Sequence, residues 1–125
     1  MTLRNSLYTI RKQEQTTDGS LFTIQLHPNH IIYQAHFPEM PVTPGVCIIQ
    51  IAMELMEELE NRRLTLTSVK NVKFLSVVNP YETPELSFAI HRVERNEGEL
   101  KASFLVTHND TMFAKLSLTF HGYDC

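Results

Sequence analysis

Apolar residues recur at helical spacing in one long segment of the chain, residues 46–59. Thr43 can cap a helix and Pro44 suits the first helical position, so the sequence predicts a helix that begins here and ends near residues 61–63. The first half of this helix is apolar nearly all round, apart from Gln50. That pattern is typical of a helix that a sheet covers.

The segments on either side of the helix are rich in Val, Leu, Phe and Thr, partly alternate, and predict strands. Residues 7–14 and 21–26, separated by a Thr-Asp-Gly turn, predict an opening hairpin. Four long strands are predicted after the helix, at 64–78, 85–93, 100–107 and 112–120. Between hairpin and helix we expect a short extended piece at 31–33 and a proline-marked loop, with nothing helical before Thr43. This order of elements predicts an α+β domain with one helix on a curled antiparallel sheet.

Length and composition limit the classes of function. With 125 residues and 42% hydrophobic content, residues 1–125 are expected to form a single domain. A net charge of -3 provides no broad basic field, so neither nucleic acid nor anionic lipid is expected as a partner. No apolar run reaches the roughly 18 residues needed to cross a bilayer, and the first residues lack signal-peptide features. A cytoplasmic protein is therefore expected.

The cysteines and the closely spaced histidines do not predict a metal site. Cys47 and Cys125 form neither a disulfide framework nor a metal-ligand spacing, and Cys47 lies in an apolar run that predicts a small buried residue rather than a nucleophile. His27 and His30 are three residues apart, but Pro28 between them and the lack of a nearby third ligand favour a loop. No metal and no cofactor are expected.

Residues 36–46 provide the clearest chemical signal, with the sequence HFPEMPVTPGV. This segment resembles the signature of the 3-hydroxyacyl-acyl carrier protein dehydratases, in which a histidine, a Phe-Pro step and a Pro-Gly-Val helix start recur at this spacing. Residues 73–80, KFLSVVNP, are similar to a second strand of the same family. The resemblance implies a hot-dog fold, in which a curled antiparallel sheet wraps one long helix. It also implies a dimer whose site takes the histidine from one subunit and the helix residue from the other.

Chemistry and resemblance together assign two catalytic roles. Eliminating water from a 3-hydroxyacyl thioester requires a base near the α carbon, a donor at the carbonyl oxygen and a proton for the departing hydroxyl. His36 suits the base, because imidazole titrates near neutral pH. Gly45, at the predicted second helical position, offers a backbone N–H without an intrahelical partner, and the resemblance places the donor at the same residue. Phe37, Pro44 and Val46 beside them are expected to bind substrate.

The third role departs from the family pattern, because Gln50 stands where an acidic helix residue is expected. Glutamine can orient a hydroxyl but cannot donate a proton as an acid. One hypothesis is that His36 shuttles the proton itself. In another, Glu54, one turn later on the same side, contacts the substrate and substitutes for the acid through a water. In the third, the subunit is weakly active, and binds acyl chains or completes a partner's site.

The leading hypothesis from the sequence is a lyase of fatty acid or related lipid or polyene biosynthesis, which converts a 3-hydroxyacyl thioester to a trans-2-enoyl thioester. The alternatives are an acyl thioesterase on the same fold, with Glu54 to activate water, and a non-enzymatic partner subunit. An acidic acyl carrier protein would find cations at Arg62, Arg63, Lys70 and Lys73, while coenzyme A is the other possible carrier.

Oligomerisation is expected from the size of the sheet. A single curled sheet of this length leaves one helix face and one strand edge poorly covered. We therefore expect a homodimer or higher homo-oligomer, or a heterodimer with a close homologue.

Overall fold

The computed structural model describes residues 2–35 and 39–122, which form six strands and two helices. The elements are β1 (Tyr8–Thr16), β2 (Gly19–Leu26), α1 (Ile31–Ala35), α2 (Gly45–Glu60), β3 (Leu64–Phe74), β4 (Glu85–Asn96), β5 (Glu99–His108) and β6 (Thr111–Gly122). The strands form one antiparallel sheet in the order β1-β2-β4-β5-β6-β3. The predicted α+β architecture, with one long helix and an antiparallel sheet, is confirmed.

The core lies between α2 and one face of the sheet. Alternate residues of each central strand point to this face, as Leu86, Phe88 and Ile90 do in β4, where each is at most 1% exposed. Burial of each such side chain stabilises the fold by about 1.5–3 kcal/mol. Seven residues of α2 are also buried, which fits the nearly all-round apolar pattern of its first half. Ile49 and Met53 are partly buried, whereas Val46, in the first turn, is 74% exposed.

The predicted hairpin and the four predicted strands are confirmed, with bounds that differ by a few residues. The largest difference is at the end of β3, which stops at Phe74 instead of continuing to Val78. The N–H groups of Leu75 and Ser76 both donate to the same carbonyl, that of Phe113, at 2.8 and 3.3 Å. Two successive donors on one acceptor break the ladder, because a regular antiparallel strand alternates its bonding partners.

The prediction for the start of α2 is wrong in one detail. Thr43 does not cap the helix, since Pro44 is the N-cap residue, with φ -60 and ψ 147, and no side chain caps it. The Thr43 hydroxyl instead lies 2.8 Å from the Tyr33 hydroxyl, and its N–H donates to the Val78 carbonyl. The predicted end is confirmed, because Asn61 adopts a left-handed conformation with φ 54.

The prediction of an extended piece at residues 31–33, with no helix before Thr43, is also wrong. These residues begin α1, a helix of five residues. The ring nitrogen Nδ1 of His30 accepts the Ile32 N–H at 3.1 Å, so a local side chain satisfies a donor at the helix start. Tyr33 is buried at 2% exposure and anchors the helix to the core. Across the described ranges, 2–35 and 39–122, no helix is long and apolar enough to span a bilayer.

Candidate active site

The amino-terminal end of α2 presents a backbone donor. The N–H groups of Cys47 and Ile48 bond back to the Pro44 carbonyl at 2.9 and 3.2 Å. The N–H of Gly45 precedes both and lies in the turn where intrahelical acceptors are absent. Gly45 is the first helical residue rather than the predicted second. Its N–H therefore lies at the end of α2 where the helix dipole favours negative charge.

The aromatic ring of Phe74 packs against Gly45. A Cβ atom added to Gly45 would lie 2.7 Å from Cζ and 2.8 Å from Cε2 of that ring. Glycine is therefore needed at this position for the ring to pack as it does. The Phe74 ring therefore fills the space that a side chain at position 45 would occupy. Phe74 is 48% exposed, so part of its ring faces solvent rather than protein.

An apolar cleft of about 540 Å³ opens beside the start of α2. The first turns of α2 line one wall, and residues 74–78 line the other. Of the predicted site residues, the structure brings Pro44, Gly45 and Val46 together in this cleft. Clefts of a few hundred Å³ with mainly apolar walls are suited to small apolar ligands. The walls and the Gly45 N–H can thus bind an apolar chain that ends in a carbonyl group.

Gln50 lies outside the lining of this cleft, more than one turn further along α2. Its Nε2 donates a hydrogen bond of 2.8 Å to Oε2 of Glu54. A carboxylate only accepts hydrogen bonds, so the amide nitrogen of Gln50 must be the atom that faces Glu54. The carbonyl oxygen Oε1 then points away from Glu54.

Glu54 is buried and binds the amino-terminal segment of the chain. Its carboxylate accepts the N–H groups of Leu3 and Arg4, both at 2.8 Å, and the hydroxyl of Tyr8 at 2.9 Å. With Gln50, four donors fill the roughly four lone-pair positions of the carboxylate. Burial, together with the charge of Glu54, raises the pKa of Tyr8 far above its usual range, so Tyr8 remains a donor. These contacts argue against Glu54 as a substitute acid or substrate ligand and give it a structural role.

His36 and Phe37, the predicted base and its neighbour, lie outside the described residues. A buried hydrogen bond joins the described residues before and after this segment: the hydroxyls of Tyr33 in α1 and Thr43 before α2 lie 2.8 Å apart. Burial raises the pKa of Tyr33 to about 12. The sequence analysis missed this pair, because nothing in the spacing of two hydroxyl residues ten positions apart indicates that they touch.

The contacts of Cys47, His27 and His30 indicate structural roles. Cys47 is 2% exposed and burial raises the pKa of its thiol, so the prediction of a small buried residue is confirmed. The Nε2 of His27 lies 2.6 Å from the Thr9 hydroxyl, and His30 receives the Ile32 N–H. Within residues 2–35 and 39–122, no group of three or more His, Cys, Asp and Glu side chains could bind a metal ion.

The predicted carrier-protein cations do not share one location. Arg62 and Arg63 follow the carboxyl end of α2, and Arg62 forms an ion pair of 3.7 Å with Glu60. A helix of 16 residues is about 24 Å long, which places these arginines at the opposite end of α2 from Gly45. Lys70 and Lys73 are exposed on β3, and Lys73 precedes Phe74 at the rim of the cleft. Lys73 is thus the cation of this group with the nearest position to the cleft.

Comparison with solved structures confirms the hot-dog fold. The structure of the dehydratase heterocomplex ApeI:P from Xenorhabdus doucetiae matches with a TM-score of 0.65 and 19% identity, over 90% of this chain and 96% of that one. A hypothetical thioesterase with coenzyme A from Streptococcus pneumoniae also matches with a TM-score of 0.65, at 9% identity, over 93% of this chain and 85% of that one. At these identities the two likenesses show the fold alone.

Sequence comparison identifies the family. A 3-hydroxyacyl-[acyl-carrier-protein] dehydratase, FabZ, from Latilactobacillus sakei is 29% identical over 96 residues, which cover 71% of this chain and 69% of that protein. The model of the ApeI-like family, described as ApeI dehydratase, matches residues 11–116. This match extends from β1 into β6 and includes the whole of α2. The chain therefore belongs to the ApeI-like dehydratase family.

Proposed function

We propose that the protein converts a 3-hydroxyacyl thioester to a trans-2-enoyl thioester and water. Membership of a dehydratase family and the likeness to a 3-hydroxyacyl-acyl carrier protein dehydratase support this reaction. The observation in the structure that supports it best is the Gly45 N–H at the start of α2, beside an apolar cleft. The acyl chain lies along the cleft walls, and its thioester carbonyl accepts a hydrogen bond from Gly45.

In this mechanism His36 takes the proton from the α carbon of the substrate. The electron pair moves towards the carbonyl, and the negative charge that develops on its oxygen is stabilised by the Gly45 N–H and the positive end of the helix dipole. The bond from the β carbon to the hydroxyl oxygen then breaks as the double bond forms. His36 returns its proton to the departing hydroxide, so that one water leaves and the catalyst is restored.

Gln50 holds the substrate hydroxyl in this proposal. Its amide nitrogen is directed to Glu54 at 2.8 Å. Its carbonyl oxygen Oε1, which is an acceptor, then receives the hydroxyl hydrogen of the bound substrate. An amide cannot supply the proton, and the four donors around Glu54 disfavour a supply from there. Of the hypotheses for the third role, proton shuttling by His36 is thus the best supported. The thioesterase alternative, which needs Glu54 to activate water, is disfavoured by the same contacts.

Replacement of Gln50 tests this assignment. We expect Gln50→Ala to lower kcat about 5- to 30-fold, the range for loss of about one to two kcal/mol of hydrogen bonding in the transition state. Gln50→Glu introduces a carboxyl beside Glu54, and like charge favours its protonated form. That protonated carboxyl can hold the hydroxyl and donate to it. At pH values where His36 is neutral, the variant should therefore lose activity as the pH rises through the raised pKa of the introduced carboxyl.

Steady-state rates of enoyl formation across pH measure both effects. Gln13→Ala, at an exposed position in β1, is the matched control and should retain the wild-type rate. A wild-type rate for Gln50→Ala would contradict the role of Gln50 in holding the hydroxyl.

A second copy of the chain completes the site in this proposal. β3 is an edge strand of the sheet, and apolar side chains along and after it are exposed: Val69 at 46%, Phe74 at 48% and Leu75 at 50%. An exposed apolar edge is normally covered by a partner. The family resemblance supports a site in which His36 comes from one subunit and Gln50 from the other. We further propose that an acyl carrier protein carries the acyl substrate. The likeness to the Latilactobacillus sakei acyl carrier protein dehydratase supports this choice.

The dimer has a direct test. Val69→Lys places a charge on the edge of β3, where it would be buried by a partner strand, and burial of an unpaired charge is costly. Sedimentation should show a dimer for the wild type and a shift to monomer for this variant, with a parallel loss of activity. Thr23→Lys, on the outward side of β2, should remain dimeric. A monomeric wild type that becomes active only with a homologue would instead favour a heterodimer.

A further inference from the structure

A row of polar side chains crosses the outer face of the sheet, which is the face turned away from α2. The strand registers place His91 of β4 opposite Ser103 of β5, Ser103 opposite Ser117 of β6, and Ser117 opposite Asn71 of β3. The residues on both sides of the two serines, Ala102, Phe104, Leu116 and Leu118, are buried on the α2 side, as is Ile90 before His91 at 1% exposure. Side chains of successive strand residues alternate between faces, so the polar row lies on the outer face.

This row forms the floor of a groove of about 570 Å³. Three cations line it, Lys73, Arg92 and Lys115, and none of its lining residues is acidic. Lys73 and Lys115 are directly opposite each other on β3 and β6. Like charges in opposed positions of a sheet destabilise it unless an anion lies between them. The cations that form ion pairs within residues 2–35 and 39–122 are Arg4, Lys12, Arg62, Arg95 and Lys101. The three groove cations therefore have no carboxylate partner in these ranges.

His91 supplies a second, independent indication of a ligand. Its Nε2 atom is buried and has no hydrogen-bond partner within the described residues. Such atoms are rare in folded proteins, because loss of hydration without a replacement partner costs free energy. The register of β4 is interrupted between His91 and Glu94, and Arg92 in this bulge has φ 53, in the left-handed region. Bulges of this kind redirect side chains, here beside the groove.

We propose that this outer groove binds a phosphate group, with Lys73, Arg92 and Lys115 around it and the Nε2 of His91 as a donor below. A dianion with several acceptor oxygens matches three cations, two serine hydroxyls and an imidazole N–H better than a single carboxylate does. The groove is separated from the cleft beside Gly45 by the sheet itself, so this inference does not depend on the dehydratase mechanism.

Calorimetric titration of the full chain at low ionic strength tests the groove, with inorganic phosphate and glycerol 3-phosphate as probes. We expect saturable binding at one site per chain. The double variant Lys73→Gln with Lys115→Gln should weaken it at least about tenfold, since two charge-assisted contacts are lost. Arg11→Gln with Lys12→Gln removes the same charge from exposed positions in β1 and should change affinity less than about twofold. Tighter binding of the ester indicates a phosphate on a larger molecule, and equal binding indicates the free ion.

His91→Leu separates a built site from general electrostatic attraction. Because it leaves net charge unchanged when the imidazole is neutral, only a specific contact with Nε2 predicts that it weakens phosphate binding. In the wild type the ring nitrogen resonances of His91 should shift on titration and saturate with the calorimetric signal. The proposal is overturned by a response that never saturates, by equal losses in the two double variants, or by unchanged affinity in His91→Leu.

Discussion

His36→Ala is expected to lower the rate of enoyl formation by about 1,000- to 10,000-fold, with the protein still folded and dimeric. A single general acid or base contributes about 100- to 10,000-fold, and the mechanism uses His36 in both capacities. Loss of the imidazole removes the base that takes the α proton and the acid that returns it to the hydroxyl. The upper part of the range is therefore expected. The measurement is the initial rate of enoyl thioester formation, by absorbance and mass spectrometry.

A matched histidine gives this experiment its control. His121 is exposed in β6 and pairs with Thr65 near the start of β3, at the end of the sheet far from the cleft. His121→Ala should keep the wild-type rate within about twofold, as expected for a surface substitution. If His36→Ala retained more than a tenth of the wild-type rate, the assignment of His36 as base and proton carrier would be wrong.

Glu54→Ala is expected to lower the free energy of unfolding by about 3 kcal/mol or more. The substitution leaves the N–H groups of Leu3 and Arg4, the Tyr8 hydroxyl and the Gln50 amide without their acceptor. Each buried donor that loses its partner costs about 1–3 kcal/mol, and water that enters the space recovers part of the sum. The amino-terminal segment would also lose its attachment to α2. Denaturant unfolding followed by circular dichroism measures the effect.

The control for Glu54 lies one turn later on the same helix. Glu58 is exposed and its carboxylate pairs with the side chain of Arg4 at 2.7 Å. Exposed ion pairs contribute about 0–1 kcal/mol, so Glu58→Ala should be close to the wild type in stability. Tyr8→Phe, which removes one of the four donors and leaves the carboxylate, should cost about 1 kcal/mol. Equal stabilities for Glu54→Ala and Glu58→Ala would show that the buried carboxylate does not hold the amino-terminal segment.

Glu54→Ala is also expected to affect catalysis. If Gln50 is oriented by its hydrogen bond to Glu54, the folded fraction of this variant should show a lower kcat with little change in KM. Such a split indicates that an interaction of the transition state was lost rather than uniform binding. Unchanged kcat in the folded fraction would mean that Gln50 keeps its orientation without Glu54.

The sequence predicted the elements of this fold well where local pattern determines structure. The apolar spacing of α2 and the alternation in the four later strands were informative because one face of the helix is buried against one face of the sheet. The same reasoning failed at residues 31–33, because a short apolar run fits a strand or a helix equally. It also failed at Thr43, whose hydroxyl hydrogen-bonds Tyr33 rather than the start of α2.

Some features of the candidate site were likewise predictable from the sequence, and others were not. Spacing was enough to place Gly45 at the start of a helix, and the motif around it indicated the family. The role of Glu54 was not predictable, because its partners Leu3 and Arg4 lie 51 and 50 positions away and meet it only in the folded chain. A glutamate on the helix face next to Gln50 suggested an acid, whereas burial among four donors makes it a structural group. Contact of Phe74 with Gly45 likewise depends on the sheet that brings the end of β3 to the start of α2.

The identity of the product tests the dehydratase assignment most directly. The purified full chain is incubated with a 3-hydroxyacyl thioester on acyl carrier protein and, separately, on coenzyme A, and the products are resolved by mass spectrometry. The proposed function predicts an intact thioester lighter by one water, formed faster on the carrier protein than on coenzyme A. Free thiol with a 3-hydroxy acid, or unchanged substrate after incubation with a folded dimer, would contradict it.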